Sequence, residues 1–195
     1  MKIGMGIPTL GFHGGIERHA HDLAGSLARR GQTLTLLHGP ARGRDVEAFT
    51  APFAAVRPLA DPRAGEGLDV AYVHKATELA ELAALRALPV AIAAHDHDLT
   101  CVRRHRYLPI GNAPCHLAPG IQCVTHGCVV VRDRRPDAPL PLRLESPFSL
   151  RHRLRELAWR APLVACSAYV AEGLVAAGVA PSRVRVIHPI PPEIE

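Results

Sequence analysis

The first forty residues follow a strand–turn–helix–strand pattern, and this pattern constrains the fold more than any other feature of the chain. Lys2–Ile7 is a short apolar strand with small residues alternating, and Thr33–His38 is a second apolar strand. Between them, Ile16–Arg30 places its apolar residues at helical spacing. Gly31 follows as a residue that suits the end of a helix. The pattern predicts a βαβ unit whose helix begins at the carboxyl end of the first strand.

The turn Gly11–Gly15 joins that strand to that helix and suits an anionic ligand. The first N–H groups of a helix have no internal partner, and the helix dipole adds partial positive charge there. Gly14 and Gly15 lack a Cβ atom, so a ligand can approach their backbone closely. The turn is therefore predicted to bind a phosphate group, and a simple tight turn is the alternative.

Two common phosphate-binding motifs are excluded by the sequence. The chain contains no G-x-x-x-x-G-K-[ST], which excludes a P-loop. A dinucleotide fingerprint needs G-x-G-x-x-G in the turn and an acidic residue at the end of the second strand. Here Gly4 and Gly6 lie within the first strand, and the second strand ends in His38, Gly39 and Pro40. A nicotinamide cofactor is therefore not expected.

The rest of the chain alternates between apolar strands and helices. Val90–Ala94 is a continuous apolar run of the kind found in buried parallel strands. Counting gives about six strands and about four helices, which predicts an α/β fold: a doubly wound parallel sheet, Rossmann-like, in a single domain. The other predicted elements are strands at Ala54–Val56, Leu68–Val73, Leu163–Cys166 and Arg183–Ile187, and helices at Thr77–Leu88 (buried face Leu79, Leu82, Ala83 and Leu85), at Ser149–Trp159, and from the N-cap Ser167 to Gly178.

Composition restricts the class of protein and of partner. With 195 residues, 48% of them hydrophobic, the chain is long enough to bury one sizeable core. No apolar run approaches the roughly 18 residues of a membrane span, and no secretory leader is recognisable, so a cytoplasmic location is expected. The net charge of +5 favours anionic partners. Aromatic residues make up only 4% and are not interleaved with basic ones, so nucleic acid is not an expected partner.

Polar residues follow several of the predicted strands. In an open parallel sheet, ligands bind beyond the carboxyl ends of the strands. The polar strand ends are His13 in the glycine turn, His74 and Lys75, the run His95–Asp98, and Cys166 with Ser167. Alternation points His95 and His97 the same way, so a metal ion at this run is one alternative. The other alternative is a cleft lined by hydrogen-bonding groups, for which the candidates are His13, Lys75, Asp96, His97 and Ser167.

Residues 95–143 show no clear periodicity and contain several prolines, which predicts a long irregular insertion. Four cysteines lie in this stretch, at Cys101, Cys115, Cys123 and Cys128. Their spacings lack the paired C-x₂-C of a strong zinc motif. A structural zinc held by the four thiolates, free thiols, and disulfides are all open alternatives, and a reducing compartment disfavours the last.

Segments at the two ends of the chain resemble one enzyme family. The run GGIERHAHDLAGSLARRGQTLTLLHG, which begins at Gly14, resembles the Gly-Gly turn, helix and second strand of family 4 glycosyltransferases of the GT-B fold. Val164–Val170, Gly178 with Val179, and Arg183–Ile187 are similar to the strand, helix and final strand that close the N-terminal domain in that family. The two matches stand in the expected order and bracket nearly the whole chain.

This resemblance implies transfer of a sugar from a nucleotide-diphosphate donor to a hydroxyl group, with retention at the anomeric carbon. It implies that Gly14 and Gly15 face the donor diphosphate and sugar, that His95 contacts the sugar at the catalytic centre, and that the loop after His95 receives the acceptor. Catalysis without a metal ion or other cofactor is expected. The expected acceptor is a glycan, a lipid-linked molecule or a small molecule, and peripheral contact with a membrane is a further expectation.

The same resemblance implies a division of the chain. Residues 1–187 correspond to the N-terminal, acceptor-side domain and residues 188–195 to the start of an interdomain linker, with the donor-binding C-terminal domain absent. The Pro-Asn-Gly turn usual at this point in the family is missing after His188. Because the family's donor-holding residues belong to the second domain, the 195-residue chain alone is predicted to be inactive. The alternative function is a stand-alone Rossmann-like module that binds a nucleotide, glycan or protein without catalysis.

Overall fold

The computed structural model describes residues 1–111, 113–133 and 139–189, and its central feature is a seven-stranded parallel sheet. The strands of this sheet are each three to ten residues long, and a separate pair forms an antiparallel hairpin. In chain order the strands are β1 (Lys2–Leu10), β2 (Thr33–Arg42), β3 (Ala55–Pro58), β4 (Val70–His74), β5 (Val90–Ala94), the hairpin strands β6 (Val130–Arg132) and β7 (Leu142–Leu144), β8 (Leu163–Ala165) and β9 (Val184–Val186).

The strand order of the large sheet is β3-β2-β1-β4-β5-β8-β9, and each neighbouring pair is parallel. The chain runs outward from β1 to β2 and β3, and β4 then pairs with the other edge of β1. β1 and β4 therefore flank the point where the strand order reverses, and open α/β sheets form a ligand-binding crevice at such a point. The predicted doubly wound parallel sheet is confirmed, with seven strands instead of about six.

Helices of the described residues connect most of these strands. Gly31 has a left-handed φ of +78°, which fits its predicted place after the first helix. Helix α4 begins two residues before the predicted Ser149, because the Ser146 hydroxyl accepts a hydrogen bond from the Ser149 N–H at 3.3 Å and Pro147 suits the first helical position. The helices are α1 (Gly15–Arg29), α2 (Val46–Thr50), α3 (Ile121–Thr125), α4 (Pro147–Arg160) and α5 (Ala168–Ala176), with 3₁₀ helices at Leu79–Leu85 and Pro181–Arg183.

The helix predicted at Thr77–Leu88 is a shorter 3₁₀ helix, Leu79–Leu85. Its leucines recur every third residue, and in a 3₁₀ helix side chains three apart lie on the same face. Leu82 and Leu85 are buried as predicted, but Leu79 at the start of the helix is 38% exposed and Ala83 is exposed as well. The prediction of an α-helix was therefore wrong in type and length, because the apolar period is three and not 3.6.

Two apolar clusters cover the two faces of the sheet. One packs α1 and α2 against β1 and β2, with Met5, Leu36 and Phe49 fully buried. The other packs the 3₁₀ helix Leu79–Leu85, α4 and α5 against β4, β5 and β8. Leu36 belongs to the first cluster and its neighbour Leu37 to the second. Because successive side chains of a strand point to opposite faces, the clusters lie on opposite sides of the sheet.

The predicted irregular insertion at residues 95–143 contains more regular structure than expected, namely α3 and the β6–β7 hairpin. Arg106 is buried, with 4% of its surface exposed, and its contacts join this segment to α5. Its Nε donates to the Cys115 carbonyl at 2.8 Å, and its guanidinium lies over the Tyr169 ring of α5, 5.6 Å from the centroid. The short three-residue strands explain why periodicity did not reveal them. Asn112 and residues 134–138 lie outside the described residues.

In the part of the chain that the structure covers, every helix is too short or too polar to cross a bilayer. The described residues reach Pro189, so most of the predicted linker at 188–195 lies outside them.

Candidate functional site

A large cavity of about 1450 Å³ opens at the reversal point between β1 and β4. Its apolar wall comes from the segment after β3 and from the 3₁₀ helix Leu79–Leu85 with the residues that follow it. Its polar and charged side is formed by His13, Gly14, Gly15, Glu17, His38, His74, Lys75, Asp98 and Arg104. The predicted candidates His13, Gly14, Gly15 and Lys75 are thus brought together in one cavity at the carboxyl ends of the strands.

The Gly14–Gly15 turn presents bare backbone to this cavity. Gly14 is extended, with φ −159°, and neither glycine has a left-handed φ. A Cβ atom added at Gly15 would meet no atom within 4 Å. The first bond of α1 runs from the Arg18 N–H to the Gly14 carbonyl at 3.2 Å, so the N–H groups of Gly15 and Ile16 precede the internal bonds of the helix. The turn therefore supplies open space at Gly15 and the N–H groups of Gly15 and Ile16, not an unusual backbone conformation.

Glu17 is a site residue that the sequence reasoning did not single out. Its Oε2 accepts a hydrogen bond from the Gly14 N–H at 3.0 Å, and the residue is 4% exposed. This removes one of the donors expected for an anion and places a carboxylate beside the turn. An acidic residue three positions after a helix N-cap is a known capping signal, and it could have revealed this bond.

Lys75, the first residue after β4, holds two carboxylates at the mouth of the large cavity. Its Nζ lies 3.0 Å from Asp96 Oδ2 and 3.1 Å from Asp98 Oδ2. Burial by itself lowers the pKa of Lys75, but hydrogen bonds and charges from Asp96 and Asp98 outweigh it and raise the pKa. Arg104 Nε adds a longer contact to Asp98 Oδ1 at 3.8 Å. Lys75 has a left-handed φ of +63°, which directs the chain sharply away from the end of β4.

The alternative of a metal ion at the run His95–Asp98 is not formed in this geometry. The two carboxylates are bound to the Lys75 ammonium, and His95 Nε2 is hydrogen-bonded to another histidine. Over residues 1–111, 113–133 and 139–189, no three His, Cys, Asp or Glu side chains are arranged to hold a metal ion.

Three histidines meet beside the reversal point. His74 Nδ1 lies 2.7 Å from His95 Nε2, and the two rings are nearly parallel, at 9°, with centroids 5.0 Å apart. The ring of His19, from α1, lies edge-on to both, at 5.9 Å from His74 and 5.5 Å from His95. His74 Nε2 is buried and has no hydrogen-bond partner among the described residues. His74 was noted in the sequence only as a strand end, and nothing in the pattern distinguishes it from its neighbours.

Burial keeps these imidazoles neutral. Desolvation, followed by the charges of His95 and His19, lowers the pKa of His74 from 6.5 to about 3. Desolvation and then the charge of His19 lower the pKa of His95 from 6.5 to about 4; Asp96 and Glu17 oppose this shift, and Lys75 adds to it. Desolvation also lowers the pKa of His19, against the attraction of Asp22. At neutral pH the cluster therefore offers hydrogen-bonding nitrogens and no positive charge.

His95 lines a second, smaller cavity of about 160 Å³, which it shares with His19, Tyr72 and Cys166. It does not line the cavity of Gly14 and Gly15, so the structure does not bring the predicted catalytic histidine and the glycine turn into one cavity. His74 connects the two, because it lines the large cavity and bonds to His95. The Cys166 thiol donates to the His95 carbonyl at 3.3 Å and holds the backbone at this point.

The remaining cleft candidates lie apart from both cavities. Ser167 caps α5 as predicted, since its hydroxyl accepts from the Val170 N–H at 3.3 Å. His97 packs edge-on against Tyr169, with ring centroids 5.2 Å apart, and its Nδ1 lies 3.5 Å from the Thr100 hydroxyl. Asp96 reaches the site only through its ion pair with Lys75.

The four clustered cysteines are free thiols in this structure, and Cys128 is buried while the others are partly exposed. Desolvation raises the pKa of Cys123, as do the charges of Cys101 and Cys115. Desolvation and then the charge of Cys123 raise the pKa of Cys128. The four side chains thus lie in one neighbourhood, but they do not form a ligand set for a metal within the described residues. The structural zinc stays a prediction.

The chain is similar to one protein family and, more distantly, to a solved structure. A family model described as Glycosyltransferase Family 4 matches residues 13–190. A search of curated proteins gives no match. Among solved structures, a nucleoside-diphosphate-sugar epimerase from Pseudomonas aeruginosa is 16% identical, with a TM-score of 0.40 over 84% of this chain and 50% of that one. The chain therefore spans half the length of that structure, and similarity at this level does not bear on its activity.

Proposed function

The chain belongs to glycosyltransferase family 4, and from that premise we propose that it supplies the acceptor-side half of an active site that uses a nucleotide-diphosphate sugar. The sugar passes from the donor diphosphate to a hydroxyl group, with retention at the anomeric carbon. The donor-binding half would be contributed by a second domain, so these 195 residues alone would not turn over. A glycan, a lipid-linked molecule or a small molecule would serve as acceptor.

The observation that carries the proposal is the open glycine turn at the reversal point of the sheet. Gly15 has free space where a side chain would be, and its N–H group and that of Ile16 lie at the start of a fifteen-residue helix. The missing Cβ atom at Gly15 leaves room for a phosphate oxygen to approach these two donors closely. Lys75 lies in the same cavity, but its ammonium is already paired with Asp96 and Asp98, so it adds little positive charge for an anionic ligand.

The Glu17 carboxylate limits how strongly the turn holds an anion. It already accepts the Gly14 N–H, and its charge opposes a phosphate placed on the next two donors. The turn is therefore suited to a weakly held diphosphate or to a sugar hydroxyl, and tight binding would need cations from elsewhere. This agrees with a site that is completed by another domain.

The apolar wall of the large cavity suits a substrate that has an uncharged part. Ala80, Ala83, Ala84 and Leu88 contribute to it, and Glu66, Glu81 and Arg86 from the same segments also line the cavity. An acceptor bound against this wall would reach the glycine turn across one continuous cavity. The wall itself does not distinguish a glycan from a lipid-linked acceptor.

Titration of the isotopically labelled chain with a panel of nucleotide-diphosphate sugars, followed by NMR, tests the proposal. Amide signals of Gly14–Glu17 and of Lys75 are expected to shift, with weak affinity. Shifts confined to a different surface, or none with any member of the panel, would reject the glycine turn as the donor contact. Sustained release of nucleotide in the same samples would show a complete active site.

A further inference from the structure

His74 and His95 form a hydrogen bond whose direction can be worked out from burial. His74 Nδ1 and His95 Nε2 are 2.7 Å apart, and His74 is only 2% exposed. The other ring nitrogen of His74, Nε2, is buried without a partner in the described part of the chain. Both imidazoles are neutral at neutral pH because burial lowers the pKa of each. A neutral imidazole carries one proton, so the bond between the rings contains a single proton.

Two assignments of that proton are possible, and they differ at His74 Nε2. If His95 donates, His74 carries its own proton on Nε2, which becomes a buried N–H without an acceptor. If His74 donates from Nδ1, its Nε2 is an unprotonated nitrogen that carries a free lone pair. Orphaned buried N–H groups are rarer in folded proteins than under-satisfied acceptors, so donation by His74 is the less costly arrangement.

We propose that His74 is a positioning residue that donates its Nδ1 proton to His95 Nε2 and so holds His95 in the tautomer protonated on Nδ1. Among the described residues, no group accepts a hydrogen bond from His95 Nδ1, and this nitrogen is not among the buried unpartnered atoms. The N–H group is therefore free to donate to a ligand in the small cavity. A sugar hydroxyl or ring oxygen is an acceptor of matching chemistry.

This assignment restricts what His95 can do. With Nε2 occupied by the His74 proton and Nδ1 already protonated, His95 has no free lone pair with which to take a proton from an acceptor hydroxyl. It acts as a neutral hydrogen-bond donor and not as a general base. The tautomer is a property of the fold alone, whereas its use on a sugar rests on the proposed function.

Long-range ¹H–¹⁵N NMR of the histidine side chains in the 195-residue chain reads the tautomer directly. The expected result is a protonated Nδ1 and a bare Nε2 for both His74 and His95. In His74→Phe, His95 is expected to lose this single tautomer and show both forms. His74→Asn is expected to restore the Nδ1 tautomer, because its amide nitrogen takes the place of His74 Nδ1.

His19→Phe is the matched control. It changes a ring that contacts both histidines but makes no hydrogen bond to either in the described residues, so the tautomer of His95 should not change. Protonation of His95 on Nε2 in the unaltered chain would overturn the proposal, whether or not the variants fold. Failure to bind any nucleotide sugar would reject the proposed function but would leave the NMR result standing.

Discussion

The ammonium of Lys75 lies 3.1 Å from a carboxylate oxygen of Asp98, whose side chain is only 8% exposed. This pair links the end of β4 to the loop after β5, and Asp96 makes a second contact of 3.0 Å to the same ammonium. The single positive charge of Lys75 therefore offsets one of the two negative charges that the sequence places two residues apart, and Arg104 Nε lies 3.8 Å from the other carboxylate oxygen of Asp98. Lys75 also fixes the loop that follows His95 against the edge of the large cavity.

Replacement of Lys75 by Met should destabilise the fold by about 1–3 kcal/mol, because it leaves the buried Asp98 carboxylate with only its longer contact to Arg104. The expected loss of unfolding free energy lies between the values for exposed and for buried ion pairs, since the Lys75 side chain is 32% exposed. Urea unfolding at neutral pH measures it. Adding Asp98→Asn to the variant should recover part of the loss, and a double variant less stable than Lys75→Met alone would argue against the pairing.

Replacement of Gly15 by Val should leave stability nearly unchanged and weaken binding of nucleotide-diphosphate sugars by about tenfold or more, or about 1.4 kcal/mol. The side chain would enter open space in the cavity, and no left-handed backbone is required at this position. Thermal unfolding measures the stability of the variant, and NMR titration measures its binding of the nucleotide-diphosphate sugars. Gly25→Val, in the same helix and away from the cavity lining, is the control and should bind as the unaltered chain does.

Acid should destabilise the fold through the histidine cluster. The folded-state pKa values of His74 and His95, about 3 and about 4, lie below the ordinary value of 6.5. Between about pH 6.5 and pH 4 the unfolded chain therefore binds more protons than the folded chain, and the free energy of unfolding falls as the pH falls. Each such group contributes at most about 1.4 kcal/mol per pH unit.

His74→Phe should therefore show a smaller loss of unfolding free energy between pH 7 and pH 5 than the unaltered chain. The groups that remain around His95 are His19 and Glu17 from α1, with Lys75 and Asp96 from the strand ends. Urea unfolding at the two pH values measures the difference. Identical losses in the two proteins would mean that His74 is not a neutral buried group in the native state.

The thiols of Cys123 and Cys128 should react slowly with an alkylating reagent at pH 7, since burial raises the pKa of both. Their rates should rise about tenfold per pH unit until the thiol pKa is reached. Mass spectrometry of the alkylated peptides measures these reaction rates.

Elemental analysis of the same preparation tests the structural zinc: about one zinc per chain is expected for a four-thiolate site, and zinc-free protein would remove that hypothesis.

The sequence predicted the fold well because hydrophobic periodicity and glycine placement determine it. Val90–Ala94 coincides with β5, and the turn at Gly14 opens α1 as expected. The type of the helix at Leu79–Leu85 was missed, because a spacing of three and one of 3.6 are hard to separate over two turns. The strands of the insertion, three residues each, are too short to show an alternating pattern.

The site was predicted only in outline. Parallel topology brings strand ends together, so Gly14, Gly15 and Lys75 could be placed at one edge from sequence alone. The separation of His95 into a second cavity depends on the direction of its side chain, which no sequence pattern encodes. The same is true of its bond to His74, because a contact between side chains 21 residues apart is set by the packing of β4 against β5.

The most direct test of the proposed acceptor-side role is to incubate the 195-residue chain with nucleotide-diphosphate sugars and candidate acceptors and to measure binding and released nucleotide together. We predict weak binding, because one helix N-terminus supplies typically only about 0.3–1 kcal/mol of anion stabilisation, and Gly15→Val should weaken it about tenfold or more. We also predict no sustained release, since the donor-binding half would be contributed by a second domain. Sustained, chain-dependent release of nucleotide would contradict the account, since it would show that the active site is complete within these residues.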